Sequence, residues 1–270
     1  MLKNLPPDQR RSFLVAGAVI FVLLAPLFVF RASAKASVPS GAATTLGVTQ
    51  VPLDATKASI GAGETSLGDL VADAAFATAK EHDPSVQLAL VTGGIVRYDV
   101  TKFRNGVYPT GTFTGEEAED LLPFDIDILG MTLTGSEVRE ILERGVSAYP
   151  MPKRRFIQVS HQVKVSVDPG RAAQQVSWDE KQIKSPGDRI ASVTIDGVPL
   201  DPSAHYRVAL VGPAPKDRPH RAKSVNDGFV TIEQHPSEPL GTIRAALVSY
   251  LHARSPVAPR PEGRIVFDAR

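Results

Sequence analysis

The sequence predicts an α+β fold in which helices pack against a mixed or antiparallel sheet, and three observations support this prediction. Apolar residues recur at helical spacing in some segments, and they alternate or run continuously over strand lengths in others. Several strand segments follow one another without an intervening helix, which argues against a doubly wound parallel sheet. The hydrophobic fraction of 43% over 270 residues suffices for a packed core and excludes a wholly disordered chain.

Residues 1–34 differ from the rest of the chain. Residues 13–30 form an uncharged apolar run, and a helix of that length extends about 27 Å, close to the hydrocarbon thickness of a membrane. Basic residues precede the run and Ala32-Ser33-Ala34 follows it, an order typical of a secretion signal. Arg10-Arg11 either belong to a twin-arginine export signal or hold the cytoplasmic end of a membrane helix. Both alternatives, a cleaved signal peptide and an N-terminal membrane anchor in the inner membrane, predict an exported, periplasmic protein.

The remaining residues divide into a linker and entry segment, residues 35–60, and a domain, residues 61–270. Residues 1–34 hold four of the 30 basic and one of the 29 acidic residues, so the rest carries 26 basic and 28 acidic residues. Nucleic-acid-binding domains normally show a basic excess, and we therefore predict no nucleic-acid partner. The absence of cysteine excludes disulfides and thiolate metal sites.

Local signals predict the elements of the domain in order. Thr65 or Ser66 can cap a first helix, which Pro84 ends. The Asp196-Gly197 pair predicts a tight turn, and residues 212–227 predict a long irregular loop with several basic residues. The other predicted elements are strands at 86–91, 126–133, 156–159, 163–167, 190–195, 206–211 and 264–267, and helices at 138–146 and 242–251.

Eight short motifs, taken together and in this order, resemble the C-terminal domain of 5′-nucleotidases, the family that includes UDP-sugar hydrolases. They lie at residues 64–74, 121–124, 133–138, 157–160, 163–168, 195–200, 206–209 and 226–229. The resemblance covers about residues 50–268 and implies the 5′-nucleotidase C-terminal fold, here preceded by one N-terminal hydrophobic helix.

The resemblance implies a nucleobase held between two phenylalanine rings, Phe124 and Phe229, with Asp227 and Gly228 beside the second ring. Aromatic rings with exposed faces stack on any base, and each stacked base contributes about 1–3 kcal/mol. The alternative is that both rings are ordinary core residues.

A double-glycine loop, Gly93-Gly94, resembles the family's loop that approaches the ligand. Val96 occupies the position of the family's arginine, and Arg97 follows one residue later. A second arginine position of the family is Gly61. We therefore expect weakened phosphate contacts and a site that favours a less anionic ligand or has lost its ligand.

In this family a separate N-terminal metallophosphatase domain performs the hydrolysis with two metal ions. Its Asp-x-His, Gly-Asn-His and Gly-His-x-His segments do not occur in this sequence, so we predict no metal, no cofactor and no catalytic residue, and hydrolysis by this chain alone is disfavoured. Two hypotheses remain open. The chain is a nucleoside- or nucleotide-binding module, the substrate-binding half of a split nucleotidase whose metallophosphatase subunit is separate. Alternatively, it is a structural or protein-interaction domain that kept the fold without the ligand.

Overall fold

The structure, a computed structural model, describes residues 44–124, 126–212 and 229–268. The helices are α1 (Lys57–Ile60), α2 (Ser66–His82), α3 (Gly115–Leu121), α4 (Gly135–Val146) and α5 (Ile243–Arg254), with 3₁₀ turns η1 (Gly93–Ile95) and η2 (Val230–Gln234). The strands are β1 (Thr45–Thr49), β2 (Leu53–Asp54), β3 (Leu88–Thr92), β4 (Val107–Tyr108), β5 (Gly111–Thr114), β6 (Asp127–Thr134), β7 (Ile157–Val159), β8 (Val163–Val167), β9 (Gln175–Val176), β10 (Ile183–Ser185), β11 (Ile190–Ile195), β12 (Val198–Pro199), β13 (His205–Val211), β14 (Glu238–Thr242) and β15 (Ile265–Phe267).

Two main sheets confirm the mixed α+β architecture. The five-stranded sheet has the order β14-β6-β13-β3-β7, in which only β13 and β3 are parallel neighbours. The four-stranded sheet has the order β12-β11-β8-β15, in which only β8 and β15 run parallel. Three two-stranded ribbons, β1-β5, β2-β4 and β9-β10, complete the described strands.

The two faces of the five-stranded sheet belong to different hydrophobic clusters, because successive strand residues point to opposite faces. Ala89 and Val91 pack into the cluster that contains the buried sides of α2, α3 and α5. Leu88 and Leu90 pack into the cluster that contains α4 and the apolar residues of the four-stranded sheet. The central sheet thus separates two layers.

Local signals placed most elements correctly. Thr65 caps α2 by accepting a hydrogen bond from the Gly68 amide, and Asp83 ends the helix just before Pro84. The Asp196-Gly197 turn has positive φ angles at both residues, as a tight hairpin turn requires. It joins β11 to β12, whereas the next predicted strand, β13, lies in the other sheet.

The folded domain includes residues that the sequence analysis assigned to the linker and entry segment. Leu46 in β1 and Leu53 in β2 are buried, and β1 pairs with β5. Residues 1–43 lie outside the described residues, and so does the apolar run at 13–30. Within the described part of the chain, no helix combines the length and apolarity needed to span a bilayer.

A buried ionic cluster connects the last strand to the first long helix. Arg264, only 3% exposed, donates from both terminal nitrogens to the two Asp73 carboxylate oxygens at 2.8 Å. It also donates to the carbonyl of Val159 and to Glu262, and its Nε lies 3.5 Å from Asp69 Oδ2. The guanidinium therefore joins three parts of the fold that are distant in sequence.

Candidate functional site

The candidate site lies at one end of three neighbouring strands of the five-stranded sheet, where β3 and β13 end and β6 begins. Val211 at the end of β13 pairs with Val91 in β3 and with Ile128 in β6. The double glycine follows β3, and Phe124 shortly precedes β6. The double glycine and Phe124, which the resemblance implicated and which are distant in sequence, therefore lie at the same ends of these strands.

Gly93 and Gly94 are required there because the protein's own backbone approaches them closely. A β-carbon at Gly93 would collide with the carbonyl oxygen of Ile60, and one at Gly94 would lie 2.7 Å from the carbonyl oxygen of Arg154. The Gly93 amide donates to Phe156 O and the Gly94 amide to Arg154 O. These two amides are thus occupied by the segment that precedes β7, a neighbour that the sequence analysis did not identify.

Arg97 is half-buried and is held by backbone carbonyls. Its Nη1 donates to Gly94 O at 2.5 Å and to Val96 O at 2.7 Å. Burial lowers the pKa of Arg97, and the positive charge of Arg154 lowers it further. The Val96 side chain at the family's arginine position is buried. The charge that faces the site therefore belongs to Arg97, one residue later.

Phe124 presents an exposed ring beside this arginine. The residue is 43% exposed, and the Arg97 guanidinium carbon lies 5.6 Å from the ring centroid, within the range of a cation–π interaction. Arg244 from α5 donates to the carbonyls of Leu122 and Pro123, which holds the segment that carries Phe124. The structure therefore supplies an accessible aromatic face with a cation next to it.

Phe229 is in a different environment. Its side chain is 2% exposed and packs in the cluster of Leu88 and Leu90, whereas Leu121 and Leu122, just before Phe124, pack in the cluster on the opposite sheet face. Phe229 offers no open face to a ligand in this structure, which agrees with the core alternative for this ring. The base sandwich remains a prediction that requires Phe229 to leave this packing.

Asp227 and Gly228 lie outside the described residues, as does most of the basic loop at 212–227. The start of that loop is described. A β-carbon at Gly212, whose φ is +115°, would collide with Thr92 Oγ1. The loop therefore leaves the sheet directly beside the double glycine.

Three basic residues beside the double-glycine loop, Lys57, Lys153 and Arg154, were not predicted from the sequence. With Arg97 they line a cavity of about 210 Å³ that also contacts Gly61, Gly93 and Gly94. The run Lys153-Arg154-Arg155 was a visible charge signal, but nothing in its local sequence shows that it folds against residues 93–94. Among the residues that the structure describes, no group of three His, Asp or Glu side chains is arranged to hold a metal ion.

A family model for "5′-nucleotidase, C-terminal domain" matches residues 42–212. The chain belongs to this family. The match includes the double glycine, Arg97 and Phe124, and seven of the eight motifs lie within it, which confirms the resemblance. It ends where the loop after β13 begins.

Individual proteins support the membership of this 5′-nucleotidase C-terminal domain. It is 29% identical over 230 residues to the trifunctional nucleotide phosphoesterase protein YfkN of Bacillus subtilis, covering 82% of this chain and 14% of that protein. It is 27% identical over 242 residues to the 5′-nucleotidase of Bos taurus, covering 83% and 37%. A 5′-nucleotidase precursor from Thermus thermophilus has a similar structure, with a TM-score of 0.67, 25% identity, and coverage of 83% and 39%.

The domain spans well under half the length of each of these relatives. The similarity therefore concerns one part of larger proteins. Their complete activities do not transfer to this 5′-nucleotidase C-terminal domain by similarity alone.

Proposed function

We propose that this chain is the nucleotide-recognition module of a 5′-nucleotidase-type system, which binds a nucleoside or nucleotide at the sheet edge of Arg97 and Phe124. The single observation that carries the proposal is the accessible Phe124 ring with the Arg97 guanidinium 5.6 Å from its centroid. Such a pair suits a ligand that combines a flat base with a polar or anionic group. Membership of the family and the names of its relatives agree with this ligand class.

Hydrolysis of the bound nucleotide's phosphoester would require a metallophosphatase domain outside the described residues. A two-metal centre polarises the phosphoryl group and generates hydroxide, and the described residues supply no ligand set for one. In the proposed arrangement this chain orients the substrate, and the other domain, carried by a separate subunit, breaks the phosphoester bond.

Removing the exposed ring should weaken binding of the base. In calorimetric titrations of the full chain with adenosine, AMP and a UDP-sugar, we expect Phe124→Ala to reduce affinity about 10-fold, since stacking contributes about 1–3 kcal/mol per base. Trp178→Ala is the matched control, because Trp178 is a 97% exposed aromatic residue in the β9–β10 hairpin, outside the site. Equal affinity in the wild type and in Phe124→Ala would contradict the placement of the base.

The alternative function is a structural or protein-interaction domain, and the burial of Phe229 favours it. In that case none of the three ligands shifts the thermal unfolding midpoint, whereas a ligand at 100 times its Kd stabilises a protein by about 2.7 kcal/mol. Thermal unfolding with each of the three ligands thus separates the two functions.

We also propose that the chain is exported, and the uncharged run at 13–30 with flanking basic residues supports this. A reporter enzyme that is active only outside the cytoplasm, fused after the full chain, should be active. A fusion lacking residues 13–30 should be inactive and serves as the control. Equal reporter activity in both fusions would contradict export through this segment.

A further inference from the structure

A second cavity, of about 470 Å³, is lined by residues of α2, of α5 and of the segment 257–264 that leads into β15. Among the described residues, it shares no lining residue with the cavity at the double glycine. Its volume lies in the range of about 300–1,000 Å³ that is typical of small-molecule sites. The proposed nucleotide site leaves this cavity unused.

Asp69 is a buried polar group in the wall of this cavity. Its side chain is 2% exposed, and within the described ranges neither of its carboxylate oxygens has a hydrogen-bond partner. Arg264 Nε lies 3.5 Å from Asp69 Oδ2, beyond the usual length of a hydrogen bond. A buried carboxyl without a hydrogen bond is costly, and the cavity leaves room for a ligand that supplies the missing donor.

Carboxyl groups outnumber cations in the buried part of the cavity. Arg264 donates to both Asp73 and Glu262. The Glu64 carboxylate accepts from the Glu262 amide and also interacts with Asp69. With Asp69, four carboxyl groups therefore share one buried guanidinium. In the part of the chain that the structure describes, no three acidic or histidine side chains are arranged to hold a metal ion, so this excess of carboxyl groups favours an organic cation.

The exposed part of the cavity wall has the opposite charge. Arg254 and Arg260 line it and are exposed. Among the described residues neither forms an ion pair, since the carboxylates of the cavity pair with Arg264, and Arg254 lies 4.9 Å from the centroid of the Tyr250 ring. The groups left without a charged partner at close range are thus a buried carboxyl and two exposed guanidiniums. A ligand that matches them carries a cation at one end and an anion at the other.

We propose that this cavity binds a small zwitterion of the amino-acid type, whose ammonium group pairs with Asp69 and whose carboxylate contacts Arg254 and Arg260. An ammonium group offers three donors, and charge-assisted hydrogen bonds are the strong ones. This site goes beyond the proposed function, and neither depends on the other.

Pairing with an ammonium group requires Asp69 to lose a proton. Burial raises its pKa to about 8, Arg264 opposes the increase, and Glu64 and Asp73 add to it, so the residue is mostly protonated at pH 7 without a ligand. An opposite charge within about 4–6 Å favours the ionised form. The ligand's ammonium group therefore displaces the proton of Asp69 to the solvent.

Calorimetric titrations of the full chain with two ω-amino acids, 4-aminobutyrate and 6-aminohexanoate, test this assignment. Butylamine and butyrate each carry only one of the two charged ends. We expect at least one ω-amino acid to bind about 10-fold more tightly than either, since hydrogen bonds to charged groups stabilise more than neutral ones. Heats measured at pH 7 in two buffers of different ionisation enthalpy should show release of close to one proton. His161, whose Nδ1 lies 3.1 Å from Asp73 Oδ1, also titrates near this pH, so the proton count should be unchanged in His161→Gln.

Substitutions at the two ends of the cavity separate their roles. Asp69→Asn keeps the shape of the side chain and should weaken binding of the ω-amino acid at least about 10-fold. Arg260→Gln should weaken it several-fold and leave the affinity for butylamine unchanged. Asp196→Asn and Arg104→Gln are the matched controls, because both residues are exposed and neither lines the cavity. Thermal unfolding without ligand confirms that each variant is folded.

An affinity for both ω-amino acids no higher than for butylamine or butyrate would overturn the inference. Unchanged binding in Asp69→Asn, or binding without proton release, would also overturn it. Binding of none of the four compounds would show that the cavity holds only solvent. The titrations with nucleosides and nucleotides are separate, so each of these outcomes leaves the proposed function standing.

Discussion

Replacement of Arg264 by methionine should lower the free energy of unfolding by about 3–5 kcal/mol, the usual cost of removing one partner from a buried ion pair. The variant removes the two hydrogen bonds at 2.8 Å that Arg264 donates to Asp73, which keeps only its contacts with His161, and it removes the donor to the buried carbonyl of Val159. Methionine fills a similar volume, so the expected loss reflects unpaired polar groups rather than a cavity. Urea denaturation at pH 7 measures it.

Arg254→Met is the control for this substitution. Arg254 is exposed and contacts Tyr250 through a cation–π interaction, so we expect its replacement to cost less than about 1 kcal/mol. Asp73→Asn in the Arg264→Met background should recover part of the loss, since an amide is less costly to leave unpaired than a charge. Equal stability of the two methionine variants would show that the cluster around Arg264 does not stabilise the fold.

Asp69→Asn should make the stability of the protein less dependent on pH. Burial raises the pKa of Asp69 from 3.8 to about 8, Arg264 opposes the increase, and Glu64 and Asp73 add to it. Between about pH 4 and pH 8 the folded state therefore retains a proton that the unfolded state releases, and this group reduces stability as the pH increases. Its contribution is favourable at low pH and is lost by about pH 8.

The expected difference in the free energy of unfolding between Asp69→Asn and the wild type is largest near pH 8. A full proton difference changes the free energy of unfolding by about 1.4 kcal/mol per pH unit, so the advantage of Asp69→Asn over the wild type should grow from pH 5 to pH 8 by up to about 4 kcal/mol. Asp196→Asn is the matched control, because Asp196 is exposed and asparagine also tolerates its φ of 50°. Parallel stability curves for the wild type and Asp69→Asn would contradict a protonated Asp69.

The sequence predicted much of the local structure and part of the candidate site. Thr65 begins α2 and Asp196-Gly197 forms the tight turn because capping and turn formation depend on neighbouring residues alone. The motif around Phe124 led to an exposed ring at the site. Phe229 shows the limit of prediction from a motif. It too lies in a family-like motif, but the fold buries its ring on the other side of the sheet.

The basic cavity shows why the rest of the site was not predictable. Arg154 reaches Gly94 across a long stretch of intervening chain, through a hydrogen bond between two backbone groups, and backbone groups carry no sequence signal. Arg264 likewise meets Asp73 only in the folded chain, where the pairing of β15 with β8 fixes the position of the last strand.

The amino-acid sequence by itself determined the family, the α+β class, and the helices and turns whose causes lie within a few residues. Only the tertiary structure decided which strands share a sheet, which phenylalanine is accessible, and which cations surround one cavity. The physical reason is that capping, turns and periodicity act between near neighbours, whereas burial and charge clustering depend on which distant surfaces pack together.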